Sequence, residues 1–135
     1  MKIFHLPDLQ EEPVDPDHFT GEATLTRMDH LSEDPRVNAY RVSFQPGART
    51  AWHSHSGPQV LLVVEGRCRF QKQGEPIQEV SGGGAVCIAP GEKHWHGSTP
   101  DAPMVHVALN INAMTNWLEK VSEPHYEGQP QISNI

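Results

Sequence analysis

Two pairs of histidines in this sequence of 135 residues have a spacing that suits chemistry. His53 and His55 are separated by one residue, and His94 and His96 repeat that spacing. On a β-strand, residues two apart point to the same face, about 7 Å apart along the chain, so each pair can present two imidazoles to one metal ion. Paired histidines also occur on solvated strand faces, so either pair alone leaves both interpretations open. Both pairs stand beside Gly/Pro turns, and this recurrence favours a metal site.

The charges of the chain are distributed unevenly. Residues 1–35 hold nine carboxylates against Lys2 and Arg27 and so account for the whole net charge of −7, whereas acids and bases balance over residues 36–135. An acidic segment without a basic cluster repels phosphate backbones and anionic lipid. We therefore expect neither a nucleic-acid nor a membrane partner, and predict a small-molecule substrate instead.

Short apolar runs and the absence of a leader pattern indicate where the protein works. The longest uninterrupted apolar run covers residues 60–64, far short of the roughly 18 residues of a membrane-spanning helix. Residues 1–14 lack the apolar stretch of a secretory signal, so we expect a cytoplasmic protein. Cys68 and Cys87 are too few for a disulfide framework, and we interpret both as free, buried thiols, without predicting how close they lie.

The hydrophobic pattern has a period of two along most of the chain and predicts an all-β single domain. Turn signals separate the expected strands every 8–12 residues, which is typical of a barrel or sandwich. We expect an acidic N-terminal arm over residues 1–21, the barrel over 22–112, and a C-terminal strand and tail over 113–135. Thr115 could begin a short helix, but the alternation that follows favours a strand and then a loose end. Expected strands include residues 37–44, 59–65, 67–73, 77–80, 85–89 and 104–111.

The histidine pairs belong to two longer patterns that resemble the cupin motifs. The first motif is matched by Gly47, His53, His55, Gln59 and Gly66. The second motif is matched by Gly83, Pro90, Gly91 and His94. Gln59 replaces the usual glutamate, Ala89 replaces a proline, and Ser98 replaces the usual asparagine. The flanking residues are similar to small bacterial cupins that include the cupin-type hydroxynitrile lyases and relatives of carboxymuconolactone-decarboxylase proteins.

This resemblance implies a fold, a metal site and an oligomeric state. The fold would be the cupin double-stranded β-helix, a jelly-roll barrel with the ion inside, and the molecule would be a homodimer. The implied metal ligands are His53, His55, Gln59 and His94, around one divalent transition-metal ion. Manganese is the first choice for this ion, with iron, nickel and zinc as alternatives.

The neutral ligand set indicates which chemistry such an ion could support. Three imidazoles and one amide leave the +2 charge of the ion uncompensated, which favours Lewis-acid chemistry over the higher oxidation states of oxygen chemistry. His96 shares the face of His94, so it is either a further ligand or a base near the ion.

The segment 104–111 has one apolar and one polar face. If the apolar face fills the barrel, His106 and Asn110 are solvated. If it meets an outer sheet or a partner subunit, these two side chains look toward the ion. The resemblance favours the second arrangement, in which the apolar outer face predicts dimerisation. The same alternation places Tyr40 and Val42 in the pocket, together with Phe44 and Leu61. The polar face consists of Met104, His106, Ala108 and Asn110, and the apolar face of Val105, Val107, Leu109 and Ile111.

Three functions are compatible with these residues. The leading hypothesis is a metal-dependent lyase acting on a small hydroxy or carbonyl compound, in its sharpest version by cyanohydrin cleavage, with His106 or His96 moving the proton. The alternatives are a cupin dioxygenase on a catechol-like or enolic substrate and a non-catalytic cupin that binds a metal or small ligand. The remaining histidines are expected to have no role: His5, His18, His30 and His125.

Overall fold

A computed structural model describes residues 1–128; residues 129–135 of the expected tail lie outside the described part. The regular structure of the described chain consists mainly of antiparallel strands, with one 3-10 turn at Leu6–Asp8 and one helix, α1, at Glu123–Tyr126. In chain order the strands are β1 (Glu11–Pro13), β2 (Phe19–Thr20), β3 (Ala23–Glu33), β4 (Arg36–Phe44), β5 (Arg49–Thr50), β6 (His53–His55), β7 (Gln59–Glu65), β8 (Arg67–Lys72), β9 (Gln78–Ser81), β10 (Ala85–Ile88), β11 (His94–Gly97), β12 (Met104–Ile111) and β13 (Thr115–Trp117).

These strands form two curled sheets. One sheet has the order β1-β3-β4-β12-β7-β10, and the other has the order β13-β6-β11-β5-β2, with β8 on β11 and β9 on β8. Most neighbouring strands, such as β4 and β12 or β6 and β11, are far apart in sequence, as in a jelly roll, whereas β3–β4 and β8–β9 are hairpins. Side chains from both sheets line one cavity between them. The predicted all-β barrel is therefore confirmed.

Strand β12 lies in the middle of the first sheet, between β4 and β7, and its alternation fixes which side chains face the barrel interior. His106 lies opposite Val42 of β4 and Val63 of β7 in the strand register. His106 and Asn110 are buried, whereas Val107, Leu109 and Ile111 are partly exposed. Of the two arrangements considered for this segment, the protein adopts the one with His106 and Asn110 inside.

The N-terminal segment is part of the sheets. β1 pairs with β3, and β2 pairs with β5, where Phe19 lies opposite Thr50. The arm expected over residues 1–21 therefore contains two strands, and strand structure begins before residue 22. Strands of two or three residues are too short to show alternation, and acidic and proline residues hide them further, so only their partners reveal them.

The C-terminal segment is anchored as well. β13 pairs with β6, so the strand predicted after Thr115 is present. The segment that follows was expected to be loose, but within the described residues it contains the helix α1. The Ser122 side chain accepts from the backbone N–H of His125 and caps this helix. Tyr126 is 1% exposed, and its hydroxyl donates to the carbonyl oxygen of Ser98 at 2.6 Å. The guanidinium of Arg49 lies 4.4 Å from the Tyr126 ring centroid, which adds a cation–π contact.

An apolar cluster outside the cavity supports the histidine strands, β6 and β11, which carry the two histidine pairs. It contains Trp52, Ile77, Trp95, Val121 and Tyr126. Trp52 and Trp95 each neighbour a cavity histidine in the sequence, and because side chains alternate along a strand they face away from the cavity. Because this cluster covers the other face of the histidine strands, it holds those strands in place.

Only one of the two cysteines is buried. Cys68 is fully buried and burial raises its pKa to about 12, whereas Cys87 is exposed. Both thiols are free. The interpretation of Cys87 as buried is wrong because its strand, β10, is paired so that Cys87 lies opposite Val60 on the outer face, while Ile88 points inward.

The outer face of the first sheet carries apolar side chains that nothing in the described chain covers. Leu62 is 41% and Val64 47% exposed, beside partly buried Val60, Val107 and Leu109. An exposed apolar face of this kind is typical of an interaction surface. The homodimer therefore remains our proposal, with this face as its contact.

No helix within residues 1–128 is long and apolar enough to cross a membrane.

We expect the protein to elute at twice the mass of its chain in size-exclusion chromatography with light scattering. Leu62→Lys should shift it to the monomer mass because a charge at the centre of an apolar contact opposes pairing. Leu118→Lys is the matched control, since Leu118 is 38% exposed but lies outside this sheet. A wild-type monomer, or equal dissociation by both variants, would contradict the contact.

Candidate metal centre and substrate cavity

A cavity of about 350 Å³ lies between the two sheets, a size typical of small-molecule sites. One sheet supplies the aliphatic wall and part of the polar wall, and the other supplies most of the imidazoles. The lining residues are Asp15, His18, Phe19, Leu25, Arg27, Tyr40, Val42, Phe44, Thr50, His53, His55, Gln59, His96, His106, Ala108, Asn110, Thr115 and Trp117.

Strands β6 and β11 bring the two histidine pairs together. His53 and His94 lie opposite each other in the strand register, with ring centroids 4.3 Å apart. Gly97 allows the end of β11 to approach β5, because a Cβ on this residue would lie 2.3 Å from the carbonyl oxygen of Ala48. The alternation in β11 then directs both His94 and His96 to one face, and all of these imidazoles are buried.

Backbone carbonyls fix the tautomers of His53 and His94. The Nδ1 atom of His53 lies 2.9 Å from the carbonyl oxygen of Ala51, and Nδ1 of His94 lies 2.8 Å from that of Glu92. A carbonyl oxygen only accepts hydrogen bonds, so each Nδ1 carries the proton and each Nε2 keeps its lone pair. Both histidines are thus oriented as metal-binding imidazoles are, with the second nitrogen held by an acceptor.

Gln59 adds an oxygen to this arrangement. Its amide nitrogen donates to Oδ1 of Asn110 at 2.7 Å, and its Oε1 lies 3.3 Å from Nε2 of His94. With this orientation of the amides, a lone pair on Oε1 of Gln59 faces the lone pair on Nε2 of His94, and no proton lies between them. A cation bound to both atoms would relieve this repulsion. Without an ion, rotating both amide groups by 180° would let Gln59 donate to His94. A bound metal would therefore select the orientation that the structure has.

His96 and His106 form a hydrogen-bonded pair beside these donors. Nε2 of His106 lies 2.9 Å from Nδ1 of His96, so one ring donates to the other. If His96 donates, its Nε2 keeps a lone pair and can bind a metal; if His106 donates, the Nε2 of neutral His96 carries a proton. Both Nε2 of His96 and Nδ1 of His106 are buried without a hydrogen-bond partner. The pair can thus exist in two tautomeric states, which differ in whether Nε2 of His96 or Nδ1 of His106 carries the outer proton.

Burial keeps the imidazoles uncharged. It lowers the pKa of His106 to about 4 and that of His55 to about 4, the latter with a further contribution from His94. Burial, and then the neighbouring imidazoles, hold the pKa values of His53 and His96 well below the usual range. These histidines are therefore unprotonated at neutral pH, which is the form that binds a metal or accepts a proton.

Three histidines form the tightest group of possible ligands. The ligand atoms of His53, His94 and His96 lie within 4.8 Å of one another. His55 is outside this group, although its ring centroid is 4.9 Å from that of His53 and its buried Nδ1 has no partner. Four buried side-chain atoms within residues 1–128 lack a hydrogen-bond partner, and three of them are imidazole nitrogens of this cavity. Such nitrogens, together with the Gln59 oxygen, fit a divalent metal ion.

The structure places the residues expected in the pocket at the cavity, with one exception. Tyr40, Val42 and Asn110 all line it, and so does Phe44. Leu61 instead packs in a core cluster with Ile88 and Ala108. Tyr40, Val42 and Phe44 share a side because they alternate along β4, whereas Asn110 reaches the cavity from β12.

Sequence reasoning missed a second group of lining residues near the cavity mouth. His18, which was expected to have no role, stacks on Trp117 with ring centroids 4.4 Å apart and an interplanar angle of 6°. Asp15 lies 3.5 Å from His18, and Phe19 is 6.1 Å from Trp117 by ring centroids. These residues come from the two ends of the chain. No local pattern links them, and only the pairing of β2 with β5 and of β13 with β6 brings them together.

Comparison with known proteins places these features in a family. The family model described as "Cupin domain" matches residues 40–110. The (R)-mandelonitrile lyase of Granulicella tundricola is 36% identical over 113 residues, which cover 82% of this chain and 86% of that protein.

Solved structures agree with this placement. A cupin-like protein from Thermotoga maritima is 34% identical, with a TM-score of 0.81 over 87% of this chain and 94% of that one. A polyketide cyclase from Streptomyces resistomycificus is 22% identical, with a TM-score of 0.69 over 94% of this chain and 91% of that one, and so it shows the fold alone.

The Gln59 oxygen provides a direct test of the metal centre. We expect Gln59→Glu to bind a divalent transition metal at least about tenfold more tightly, because a carboxylate partly compensates the +2 charge that neutral donors leave. Competition with a chelator on metal-depleted protein measures this affinity. Gln78→Glu is the control, since it makes the same charge change at an exposed position on β9. Unchanged affinity in Gln59→Glu would show that this side chain does not bind the ion.

Proposed function

Because this chain belongs to the cupin family, we propose that it is a metal-dependent lyase acting on a small hydroxy or carbonyl compound, and that it cleaves cyanohydrins to an aldehyde or ketone and hydrogen cyanide. The observation that carries the proposal is one cavity in which neutral metal donors stand beside the His96–His106 pair. The relative that is named an (R)-mandelonitrile lyase supports the choice of reaction.

The donor set favours this reaction class over redox chemistry. His53, His94 and Gln59 offer lone pairs and no negative charge, and His55 and His96 have further nitrogens nearby. A divalent ion bound here, with manganese as first choice and iron, nickel or zinc as alternatives, would act as a Lewis acid toward a hydroxyl or cyanide group. The neutral donors would leave its charge available to the substrate.

The residues of the cavity then have to move one proton. Cleavage removes the proton of the cyanohydrin hydroxyl, forms the C=O bond and breaks the bond to the cyanide carbon, which leaves with the electron pair. His106 can accept this proton because the ring is uncharged at neutral pH, with its pKa lowered to about 4 by burial, and because its Nδ1 has no other partner. The imidazolium returns the proton to cyanide, so hydrogen cyanide leaves and no net proton is exchanged.

His96 orients the base. Its Nδ1 lies 2.9 Å from Nε2 of His106, so the proton position on one ring sets the proton position on the other. When His96 donates, the Nδ1 of neutral His106 carries a proton; when His106 donates, the Nδ1 of His106 is free to accept one. Passing from the first state to the second moves the shared proton to His106, releases the Nδ1 proton of His106 and adds a proton at Nε2 of His96. Only the second state, in which His106 donates, therefore lets Nδ1 of His106 act as the base.

The remaining proposed pocket residues shape the space around the substrate. Val42 and Ala108 are buried apolar walls, and Asn110 is held by the amide of Gln59. The Tyr40 hydroxyl keeps its proton, since burial and the nearby Asp29 raise its pKa, so it can donate to a substrate oxygen.

We expect the purified protein to convert mandelonitrile to benzaldehyde, followed by absorbance of the aldehyde. His106→Asn should lower kcat by about 100-fold or more, the size of a general-base contribution, while the metal content stays unchanged. His5→Asn removes an imidazole whose side chain is 70% exposed and should retain full activity. No conversion by the wild type would refute the reaction, and full activity of His106→Asn would refute the role of that residue.

A further inference from the structure

We propose that Asn110 donates a hydrogen bond to an acceptor atom of the ligand in the cavity, and that a metal ion bound at Gln59 enforces this donor role. The inference rests on the proposed function for the presence of a metal and a ligand in one cavity. It goes beyond that function because it couples the binding of the two through a pair of neutral amides.

Gln59 and Asn110 form a buried amide pair on neighbouring strands. They lie directly opposite each other in the register of β7 and β12, so both side chains point to the same face of the sheet. Both are buried, and Nε2 of Gln59 donates to Oδ1 of Asn110 at 2.7 Å. An amide group has one donor end and one acceptor end. The end of Gln59 that faces Asn110 therefore determines which end Asn110 turns away from the pair.

The other end of Gln59 faces a metal donor. Its Oε1 lies 3.3 Å from Nε2 of His94, which keeps its lone pair because Nδ1 donates to the carbonyl oxygen of Glu92. A metal ion held by these two atoms requires the oxygen end of Gln59, which leaves the N–H end for Asn110. In the described residues Asn110 then hydrogen-bonds through Oδ1 alone, and its Nδ2 is left for the cavity that it lines.

Without an ion, the reverse orientation satisfies the same groups. The amide nitrogen of Gln59 donates to Nε2 of His94, Nδ2 of Asn110 donates to Oε1 of Gln59, and Oδ1 of Asn110 is left for the cavity. Metal binding therefore replaces an acceptor with a donor at the cavity wall. Since such coupling is reciprocal, a ligand that accepts a hydrogen bond from Asn110 also tightens metal binding.

The glutamine at position 59 is what allows this exchange. An ionised glutamate, the residue usual at this place in the cupin motif, only accepts hydrogen bonds, so it would demand the N–H end of Asn110 whether or not an ion is bound. Gln59 can instead present either end to its neighbour. The departure of this chain from the motif thus gives Asn110 its donor role.

Asn110 contacts a different part of the ligand from the proposed base. His106 and Asn110 share one face of β12 but are four residues apart, which separates their Cα atoms by about 13 Å. The small Ala108 lies between them and also lines the cavity. The acceptor atom at Asn110 is therefore distinct from the group that gives its proton to His106.

Two substitutions of Asn110 test its hold on Gln59. Asn110→Leu removes the acceptor for the Gln59 amide, and we expect it to weaken Mn²⁺ binding by about tenfold or more, as loss of a partner that orients a metal ligand does. Asn110→Asp keeps an oxygen that accepts from Nε2 of Gln59 and should bind Mn²⁺ at least as tightly as the wild type. Competition with a chelator on metal-depleted protein measures both. Unchanged affinity in Asn110→Leu, or an equal loss in both variants, would overturn the inference.

Ligand binding to the Mn²⁺-loaded protein tests the donor role. Acetophenone has a hydrogen-bond acceptor and no donor, and isothermal titration calorimetry gives its dissociation constant. Asn110→Asp places an acceptor where the ligand needs a donor, so we expect at least about fivefold weaker binding. Asn116→Asp makes the same charge change at an exposed position on β13 and should leave the dissociation constant unchanged. Wild-type affinity in Asn110→Asp, or the same loss in both variants, would show that Asn110 does not donate to the ligand.

These measurements separate the inference from the proposed reaction. Metal and ligand affinities that follow the expected pattern in a protein that does not cleave mandelonitrile would support the amide coupling and refute the reaction. Cleavage of mandelonitrile by the wild type, with a Mn²⁺ affinity that Asn110→Leu leaves unchanged, would support the reaction and refute the coupling.

Discussion

The structure depends on one constraint, namely that five imidazoles share the interior of a small barrel and must remain uncharged there. Burial lowers their pKa values, and it also deprives nitrogens of His55, His96 and His106 of any partner. An unsatisfied buried polar atom costs about 1–3 kcal/mol. A cation that binds the free lone pairs would offset this cost, so a metal ion would stabilise the barrel and also supply its chemistry.

The barrel meets this constraint by dividing its tasks between the two sheets. Strands β6 and β11 present the histidine pairs, while β7 and β12 contribute Gln59 and Asn110 from the facing sheet. The outer cluster around Trp95 and Tyr126 holds the histidine strands from behind. The site is thus assembled from non-adjacent strands, and its geometry depends on closure of the two sheets.

Much of the fold could be predicted from the sequence because alternation is a local signal. The pattern of residues 104–111 separates His106 and Asn110 from the apolar face, and the structure keeps that separation. Turn residues likewise bounded strands such as β7, whose predicted ends match the observed ones. The two His-x-His pairs and their spacing were enough to indicate where a metal could bind.

What the sequence did not reveal depends on contacts between distant segments. The short strands β1 and β2 have no periodicity of their own, and the cavity positions of His18 and Trp117 follow from pairing across the chain. Cys87 is exposed because of its register on β7, which no local pattern sets. The resemblance implies His53, His55 and His94 as the imidazole ligands, and the tightest group of nitrogens in the described residues consists of His53, His94 and His96.

X-ray absorption at the edge of the bound metal tests the central claim most directly. After loading with a divalent transition metal, the account predicts one ion per chain, a first shell of nitrogen and oxygen at about 2.0–2.2 Å, and outer-shell scattering from at least three imidazoles. Protein that takes up no ion, or an ion whose spectrum lacks imidazole scattering, would contradict it.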